Sequence, residues 1–228
     1  MEILGVDIGG SGVKGAVVNT ATGELLSERV RIETPQPATP AAIADTLGEL
    51  VRRIGYQGPV GCGFPARIVR GVVATAANID KSWINVRVDE LFSKALGQSV
   101  YVANDADVAG LCELELGAGR HNRGTVLFLT IGTGIGSALF VNGELYPNTE
   151  LGHVSMGKHH PDAEKYCSGA VKERENLKWK QWGERFNEYL EYMNFLLSPD
   201  LIILGGGGSK KFEKFREQLT VPVPVEAC

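Results

Sequence analysis

The sequence offers few of the signals that sort proteins quickly. Its four cysteines, Cys62, Cys112, Cys167 and Cys228, include no C-x-x-C pair. That spacing argues against a dithiol redox motif and fits scattered, reduced thiols of a cytosolic protein. His159-His160 near Cys167 hints at a metal, but one cysteine without a second pair is a weak set for zinc. Excess positive charge is also lacking. The formal net charge is −4, so no generic attraction to nucleic acid or to a membrane surface is expected. No apolar run suits a membrane span: the most apolar stretch, residues 125–141, is broken by glycines and threonines and alternates like a hairpin. Met1-Glu2-Ile3 enters a strand directly, without the basic region and apolar run of a signal peptide. Also missing is G-x-x-x-x-G-K-[ST], the phosphate loop that leads into a helix.

What the chain has in excess is glycine, 29 of 228 residues, clustered in two related segments. The first is Leu4-Gly5-Val6-Asp7-Ile8-Gly9-Gly10-Ser11-Gly12-Val13-Lys14-Gly15-Ala16-Val17-Val18. The second runs from Leu127 through Gly132-Thr133-Gly134-Ile135-Gly136 to Phe140. With one gap, Ile8 aligns with Ile131, Gly9 with Gly132, Val13 with Ile135 and Ala16 with Ala138. Each segment then reaches a Gly-Glu-Leu, at 23–25 and 143–145. One repeat per half-chain implies two related domains rather than a solenoid. Glycine-tipped hairpins facing each other could hold a phosphate chain between their backbone N–H groups.

Residues 2–8, 13–19 and 24–32 read as three strands joined by glycine turns. Thr39-Pro40 reads as an N-cap and first helical position, opening a helix to about Ile54. Ile43, Leu47, Leu50, Val51 and Ile54 share one face of it. Val60–Phe64 and Arg67–Ala74 read as strands, and Asp89–Leu96 as a short helix ending at Gly97. Val100-Tyr101-Val102 is a strand that delivers Asn104-Asp105 at its carboxyl end. Ala106–Leu116 reads as a connecting helix and Val171–Leu197 as one long helix. Leu201–Leu204 is a buried strand, and Ser209 then caps a helix carrying Phe212, Phe215 and Leu219. Strands and helices alternating after an opening meander imply an α/β fold with a mixed sheet, repeated in outline after residue 124.

Three constellations carry chemistry. In the first glycine segment, Asp7 at a strand end is placed to orient Mg²⁺ or its waters; an Asp that bonds its own turn would look the same. Asn104-Asp105 sits where open α/β sheets bind ligands. It serves equally as a general base for a hydroxyl or as the cap of the following helix. Glu150 and His153, three apart, could bond neighbouring sugar hydroxyls or form an ordinary surface pair.

At these residues the chain resembles the ROK family, bacterial sugar kinases whose members also include repressors. The resemblance covers nearly the whole chain. It implies that Asp7, Gly9, Gly10, Ser11, Gly12 and Lys14 form a first phosphate motif. Thr130, Gly132, Thr133, Gly134 and Gly136 form a second. Asn104 and Asp105 match the family's Asn-Asp, with Asp105 catalytic; Asn78, Glu150 and His153 match its sugar contacts. Gly205, Gly206 and Gly207, continuing to Gly208-Ser209, resemble the loop beside the nucleotide site. Thr130 to Ala138 fits T-x-G-T-G-I-G-S-A, a string of the family's polyphosphate-using glucokinases. Their second signature, K-E-x-x-S-W-x-x-W-A, is present in altered form from Arg174 to Gly183, with Arg174, Lys178 and Gly183 as the differences. Its tryptophans fit equally as core residues of a helix. The cysteine-rich zinc motif of many members is absent, so no structural zinc is expected, and the glutamate attached to that motif would fall at Glu164. The family's closing N-x-A-G-x-x-G-A-A helix is not found before Cys228, which predicts an apolar groove open on a sheet.

The implied fold is α/β, the actin-like (ribonuclease H-like) duplicated fold. Its domains would span 1–104 and 105–228, with ligand in the cleft between them. The implied reaction is transfer of a phosphoryl group from polyphosphate, with ATP as a further donor, to the 6-hydroxyl of glucose, with Mg²⁺. A cytoplasmic homodimer acting on glucose is expected, with no nucleic acid or membrane partner. An ATP-dependent kinase of fructose, mannose or an amino sugar is the main rival. A sugar-responsive repressor would need a helix-turn-helix domain ahead of the first strand. A non-catalytic sugar-binding relative would have no need of Asp105.

Overall fold

In the computed structural model, which describes residues 1–77, 79–156 and 162–228, the chain divides into two compact units, Met1–Val108 and Ala109–Cys228. The first opens with strands β1 (Glu2–Gly9), β2 (Gly12–Asn19) and β3 (Val30–Ile32). Helix α1 (Pro40–Ile54), strand β4 (Val60–Phe64) and the small hairpin β5 (Ile68–Val69) and β6 (Val72–Val73) follow. Helix α2 (Val88–Leu96) and strand β7 (Val100–Asn104) complete it. Helix α3 (Asp105–Leu116) carries the boundary between the units. The second unit holds β8 (Thr125–Ile131), β9 (Ile135–Val141) and β10 (Glu144–Tyr146). After these come α4 (Ala163–Cys167), α5 (Gly169–Arg174), α6 (Trp179–Leu197), β11 (Leu201–Gly205), α7 (Gly206–Ser209) and β12 (Val225–Ala227).

The two sheets repeat one topology. The first is ordered β3-β2-β1-β4-β7 and the second β10-β9-β8-β11-β12. In each, an antiparallel meander of three strands is extended by two parallel strands. The repeat in the glycine segments is therefore a repeat of architecture. Its parallel strands all end on the side that carries the glycine turns, which is where such sheets bind ligands.

Local chemistry explains the elements. Thr39 Oγ1 accepts the Ala42 N–H, Pro40 occupies the first turn of α1, and Gly55 (φ 72°) closes it. Ile43, Leu47 and Leu50 are fully buried against the first sheet's core, each worth roughly 1.5–3 kcal/mol in transfer from water. That core centres on Phe64, Trp83 and Phe92, packed edge-on or tilted. The Trp83 indole N–H donates to Ala38 O at 2.8 Å, so its one polar atom is satisfied. The second core gathers Trp182, Phe186 and Phe215, again fully or almost fully buried. Here the Trp182 indole donates to the carbonyls of Cys167 and Ser168.

Four sequence expectations need correction. The strand read at 24–32 is only Val30–Ile32, plus a single bridge from Leu25 to Val18. Between them Ser27 Oγ accepts the Val17 N–H, so a side chain takes the place of a ladder carbonyl. Arg67–Ala74 is a two-stranded hairpin, because Arg70 and Gly71 both adopt positive φ (52° and 79°) and turn the chain. The long helix at 171–197 is two helices, α5 and α6. Asn176 is left-handed (φ 49°) and breaks it, a conformation Asn tolerates. Both pieces face one core, so apolar spacing runs through the break unseen. Ser209 ends α7 instead of capping a helix: its hydroxyl lies within bonding distance of the carbonyls of Gly206 and Cys228. Phe212, Phe215 and Leu219 follow on two 3-10 turns and their flanks.

On the first sheet, Leu4, Val6 and Val60 point into the core. Ile3, Gly5, Gly61 and Tyr101 lie out of phase with them along the strands and line a groove of about 590 Å³ on the other face.

Candidate active site

The first glycine loop is the tip of the β1–β2 hairpin, where Gly9 pairs with Gly12 and Asp7 with Lys14. Its outward carbonyls are held from below. Thr34 Oγ1 donates to Gly9 O at 2.5 Å, and the Arg31 guanidinium donates to Ser11 O at 2.6 Å. A Cβ at Gly12 would stand 2.7 Å from Arg31 Nε, so Gly12 is crowded and a side chain there would displace the guanidinium that holds Ser11 O. Gly10 is not crowded: a Cβ there meets nothing within 4 Å. A pocket of about 290 Å³ lies beside the loop, lined by Gly9, Gly10, Thr34, Pro65, Ala77 and Asp80 among others.

Asn104 and Asp105 stand at the end of β7 and the start of α3. Asn104 Oδ1 accepts the N–H groups of Ala106 (2.9 Å) and Asp107 (3.1 Å), and its Nδ2 donates to Ala66 O at 3.3 Å. Asn104 is thus the helix cap and ties α3 to the segment after β4. Asp105 is the first helical residue, and its Oδ1 accepts the Ala106 N–H at 2.8 Å. Asp105 keeps an exposed edge. Partial desolvation raises the Asp105 carboxyl above its ordinary value. The Ala106 N–H works against this, and the negative charge of Asp7 adds to it. Asp7 and Asp105 are neighbours across β4. Asp7 pairs with Gly63 and Gly63 with Ala103, and a Cβ at Gly63 would lie 3.6 Å from Asp105 Cα.

Asp7 is also the residue to test against Mg²⁺. Its carboxylate is more than half exposed and is ion-paired with Lys14 Nζ at 3.2 Å. Mg²⁺ bound with phosphates keeps several waters and needs only one or two carboxylates, so Asp7 fits as its protein partner. Among the described residues no group of three or more His, Cys, Asp or Glu could hold a metal by itself.

The second loop, Gly132-Thr133-Gly134, joins β8 to β9 and closes on itself through Gly132 N–H to Gly134 O at 3.0 Å. It is braced from two sides. The Ile135 N–H donates to Glu164 Oε2 at 2.9 Å, and the Ala170 N–H donates to Gly132 O at 3.3 Å. The third glycine run sits on the base of this loop: a Cβ at Gly206 would be 2.7 Å from Ile131 O, and one at Gly208 2.6 Å from Ile131 Cγ2. Thr130 pairs with Gly136 on one side and Gly205 on the other, so the second and third loops share one strand end.

Glu150 precedes the 3-10 turn Leu151–His153, and His153 is its last residue. The Leu151 N–H donates to Ser137 Oγ at 3.0 Å, and Gly152 lies directly on Ile135 O, leaving no room for a Cβ. His153 Nδ1 is 3.4 Å from Asp162 Oδ2. Burial pushes the Asp162 carboxyl up, but Lys165 and His153 outweigh it and hold it below its ordinary value.

The structure therefore collects Asp7, the Gly9–Gly12 loop, Lys14, Asn104 and Asp105 at one sheet end of the first unit. In the second unit it collects Thr130–Gly136 and Gly205–Gly207, with the Glu150–His153 turn packed on β9. Asn78, Lys158 and the His159-His160 pair lie outside the described residues. Sequence reasoning missed the braces: Arg31 and Thr34 under the first loop, Ser137 under the turn. Each is distant in sequence from what it holds; Arg31 and Thr34 carry no motif, and Ser137 lies in the T-x-G-T-G-I-G-S-A string, which does not point to the turn at 151–153. Glu164, expected by resemblance at the sugar, has one carboxylate oxygen on the second loop.

Three of the described glycines without a left-handed φ share one property. A Cβ at Gly10, Gly132 or Gly207 would meet nothing within 4 Å. Neither packing nor backbone conformation demands glycine there. Each belongs to a different one of the three loops. An open glycine in a braced loop leaves the backbone accessible to a ligand.

The ROK family model matches residues 3–173. The polyphosphate glucokinase of Mycobacterium tuberculosis is 45% identical over 223 residues, 97% of this chain and 83% of that protein. That of Mycobacterium leprae is 42% identical over 227 residues, 99% of this chain and 69% of that protein. The crystal structure of the inorganic polyphosphate/ATP-glucomannokinase from Arthrobacter sp. strain KM superposes with a TM-score of 0.92 at 43% identity, covering 99% of this chain and 91% of that one.

Proposed function

Since this chain belongs to the ROK family, with its actin-like duplicated fold, we propose that it is a polyphosphate glucokinase. It transfers the terminal phosphoryl group of polyphosphate, and also of ATP, to the 6-hydroxyl of glucose. The three open glycines carry this reading. They leave one side of the loops Gly9–Gly12, Gly132–Gly136 and Gly205–Gly207 uncovered by side chains, which supports reading these loops as donor-binding although the Gly132 N–H itself is taken by Gly134 O, and the high identity to polyphosphate glucokinases supports the donor.

Asp105 accepts the proton of the 6-hydroxyl as the oxygen attacks phosphorus. The bond to the donor breaks, and the donor leaves one phosphate shorter. Loop N–H groups hydrogen-bond the phosphate oxygens and offset charge that builds in the transition state. Asp7 would hold Mg²⁺, and the ion would supply further neutralisation of phosphate charge. Lys14, paired with Asp7, adds a positive charge beside the first loop. Asn78, Asn104, Glu150 and His153 position the sugar. The protein acts as a cytoplasmic homodimer in this reading, its size measurable by light scattering; no described helix is long and apolar enough to cross a membrane.

Glucose phosphorylation measured side by side with polyphosphate and ATP is the deciding experiment. Turnover with ATP alone would favour the rival ATP-dependent hexose kinase. Absence of turnover with either donor would leave a sugar-binding relative. Within the same assay, Glu150→Gln and His153→Ala raise the KM of glucose and leave the donor KM nearly unchanged. An unpaired sugar hydroxyl costs on the order of 1–3 kcal/mol. A change confined to the donor KM would put these residues at the wrong end of the reaction.

The basic residues of α4, α5 and the start of α6 separate the donors. Lys172 lies 4.3 Å over the Trp179 ring, Arg174 shares Glu175 with Arg185, and Lys178 opens α6. Lys180 is exposed one residue into α6 and Lys165 pairs with Asp162. A long polyanion meets several of these cations, whereas ATP meets few. Charge reversal at Arg174 and Lys178 therefore lowers kcat/KM for polyphosphate more than for ATP, and polyphosphate activity falls faster as salt rises. Equal losses with both donors would remove the polyphosphate track from this surface.

A further inference from the structure

Glu164 is the one carboxylate bonded to the second glycine loop among the described hydrogen bonds. Its Oε2 accepts the Ile135 N–H at 2.9 Å, and the carboxylate covers Gly134 so closely that a side chain at that position would push it aside. The loop has no slack on its other side. Ala170 N–H holds Gly132 O, and a Cβ at Gly169 would stand 2.6 Å from that oxygen. Ile135 is held twice, by Glu164 at its N–H and by the close approach of Gly152 at its carbonyl.

Glu164 also belongs to a short helix with two contacts. Two residues before it, the α4 N-cap Asp162 contacts His153 Nδ1 at 3.4 Å. Ala163 N–H, between them, donates to Val154 O at 3.0 Å. A single turn of α4 thus reaches the His153 turn with one carboxylate and the glycine loop with the other.

We propose that Glu164 is a positioning residue that shapes the second glycine loop for the phosphoryl donor. Through α4 it keeps that loop in register with the Glu150–His153 turn. The inference rests on the reading that residues 132–136 hold donor phosphates. With the Ile135 N–H taken by Glu164 and the Gly132 N–H by Gly134 O, the loop is left to present Thr133 and Gly134 to the donor. A carboxylate that occupied a phosphate site would compete with the donor. One that braces the loop from outside shapes it, and loss of that brace loosens donor binding in particular.

The test compares Glu164→Ala, Glu164→Gln and Glu164→Asp by steady-state kinetics with polyphosphate, ATP and glucose each varied. Losing a hydrogen bond to a charged acceptor corresponds to ~10-fold or more in a binding constant. The Ala variant shows that rise in the KM of both donors, with the glucose KM unchanged. The Gln variant recovers most of the loss, because its amide oxygen accepts the same N–H. The Asp variant, one methylene short of the loop, behaves like Ala and stands in for it if Ala does not fold. A rise confined to the glucose KM would make Glu164 a sugar contact and overturn the proposal. So would donor constants unmoved in all three variants of an active enzyme. A wild-type protein inactive with both donors would instead overturn the functional reading, and this inference with it.

Discussion

Asp105→Asn lowers turnover by ~10²–10⁴-fold, the usual contribution of a general base, and leaves glucose affinity nearly intact. Asn keeps the shape of Asp and an oxygen for the Ala106 N–H, so α3 starts in the same place, but it cannot take a proton. Wild-type kcat/KM falls as pH falls through the Asp105 pKa. That acid limb lies above the ordinary range near 3.9, because desolvation and the Asp7 charge both favour the protonated form. Asp7→Asn moves the limb down. The stability sign is the reverse of a salt-bridged carboxylate. A raised folded-state pKa means that the native state holds the proton more tightly than the unfolded chain. Ionisation therefore weakens the fold in full above that pKa, less as pH falls from it towards the ordinary carboxylate value, and not at all below the ordinary value. Asp105→Asn removes this cost, so its Tm at neutral pH is no lower than wild type. Steady-state kinetics, glucose titration calorimetry and thermal unfolding read these outcomes. Near wild-type turnover in Asp105→Asn would reduce Asp105 to a part of the helix start.

Gly152→Ala is expected to be the most disruptive single methyl group in the molecule's second half. Gly152 is buried, and the position its Cβ would take overlaps the backbone carbonyl of Ile135. Backbone cannot rotate aside as a side chain can. Either the 3-10 turn lifts from β9 or β9 bends, and overpacking of this kind costs ~1–3 kcal/mol. Lifting the turn would strain the Leu151 N–H to Ser137 Oγ bond and displace Glu150 and His153 together. The glucose KM therefore rises more than in either single side-chain variant, and Tm falls. By contrast, Gly10→Ala meets no steric obstacle, so it leaves Tm almost unchanged and affects donor use. Denaturant unfolding of both variants checks the contrast. Equal stability of Gly152→Ala and wild type would mean that the turn has room the geometry denies it.

Much of this was readable along the chain because its causes are local. The duplicated glycine segments, the Thr39-Pro40 helix start, the Gly55 and Gly97 stops and the strand ending in Asn104-Asp105 depend on neighbours within a few residues. The breaks at Asn176 and at Arg70-Gly71 were not readable. Arg adopts left-handed φ only when the surrounding structure demands it, and Asn tolerates it without any local pattern that says which Asn will turn. The roles of the glycines were not readable either: Gly12, Gly134 and Gly152 are filled against Arg31, Glu164 and Ile135, whereas Gly10, Gly132 and Gly207 are open. By itself, then, the sequence determined the family, the paired sheets and which residue types could meet a phosphate chain, since pattern and spacing specify these. Only the tertiary structure decided which of those residues are braces and which are surfaces. That distinction depends on what lies within a few ångströms in space, and the braces Arg31, Thr34 and Glu164 come from segments the loop sequences do not contain.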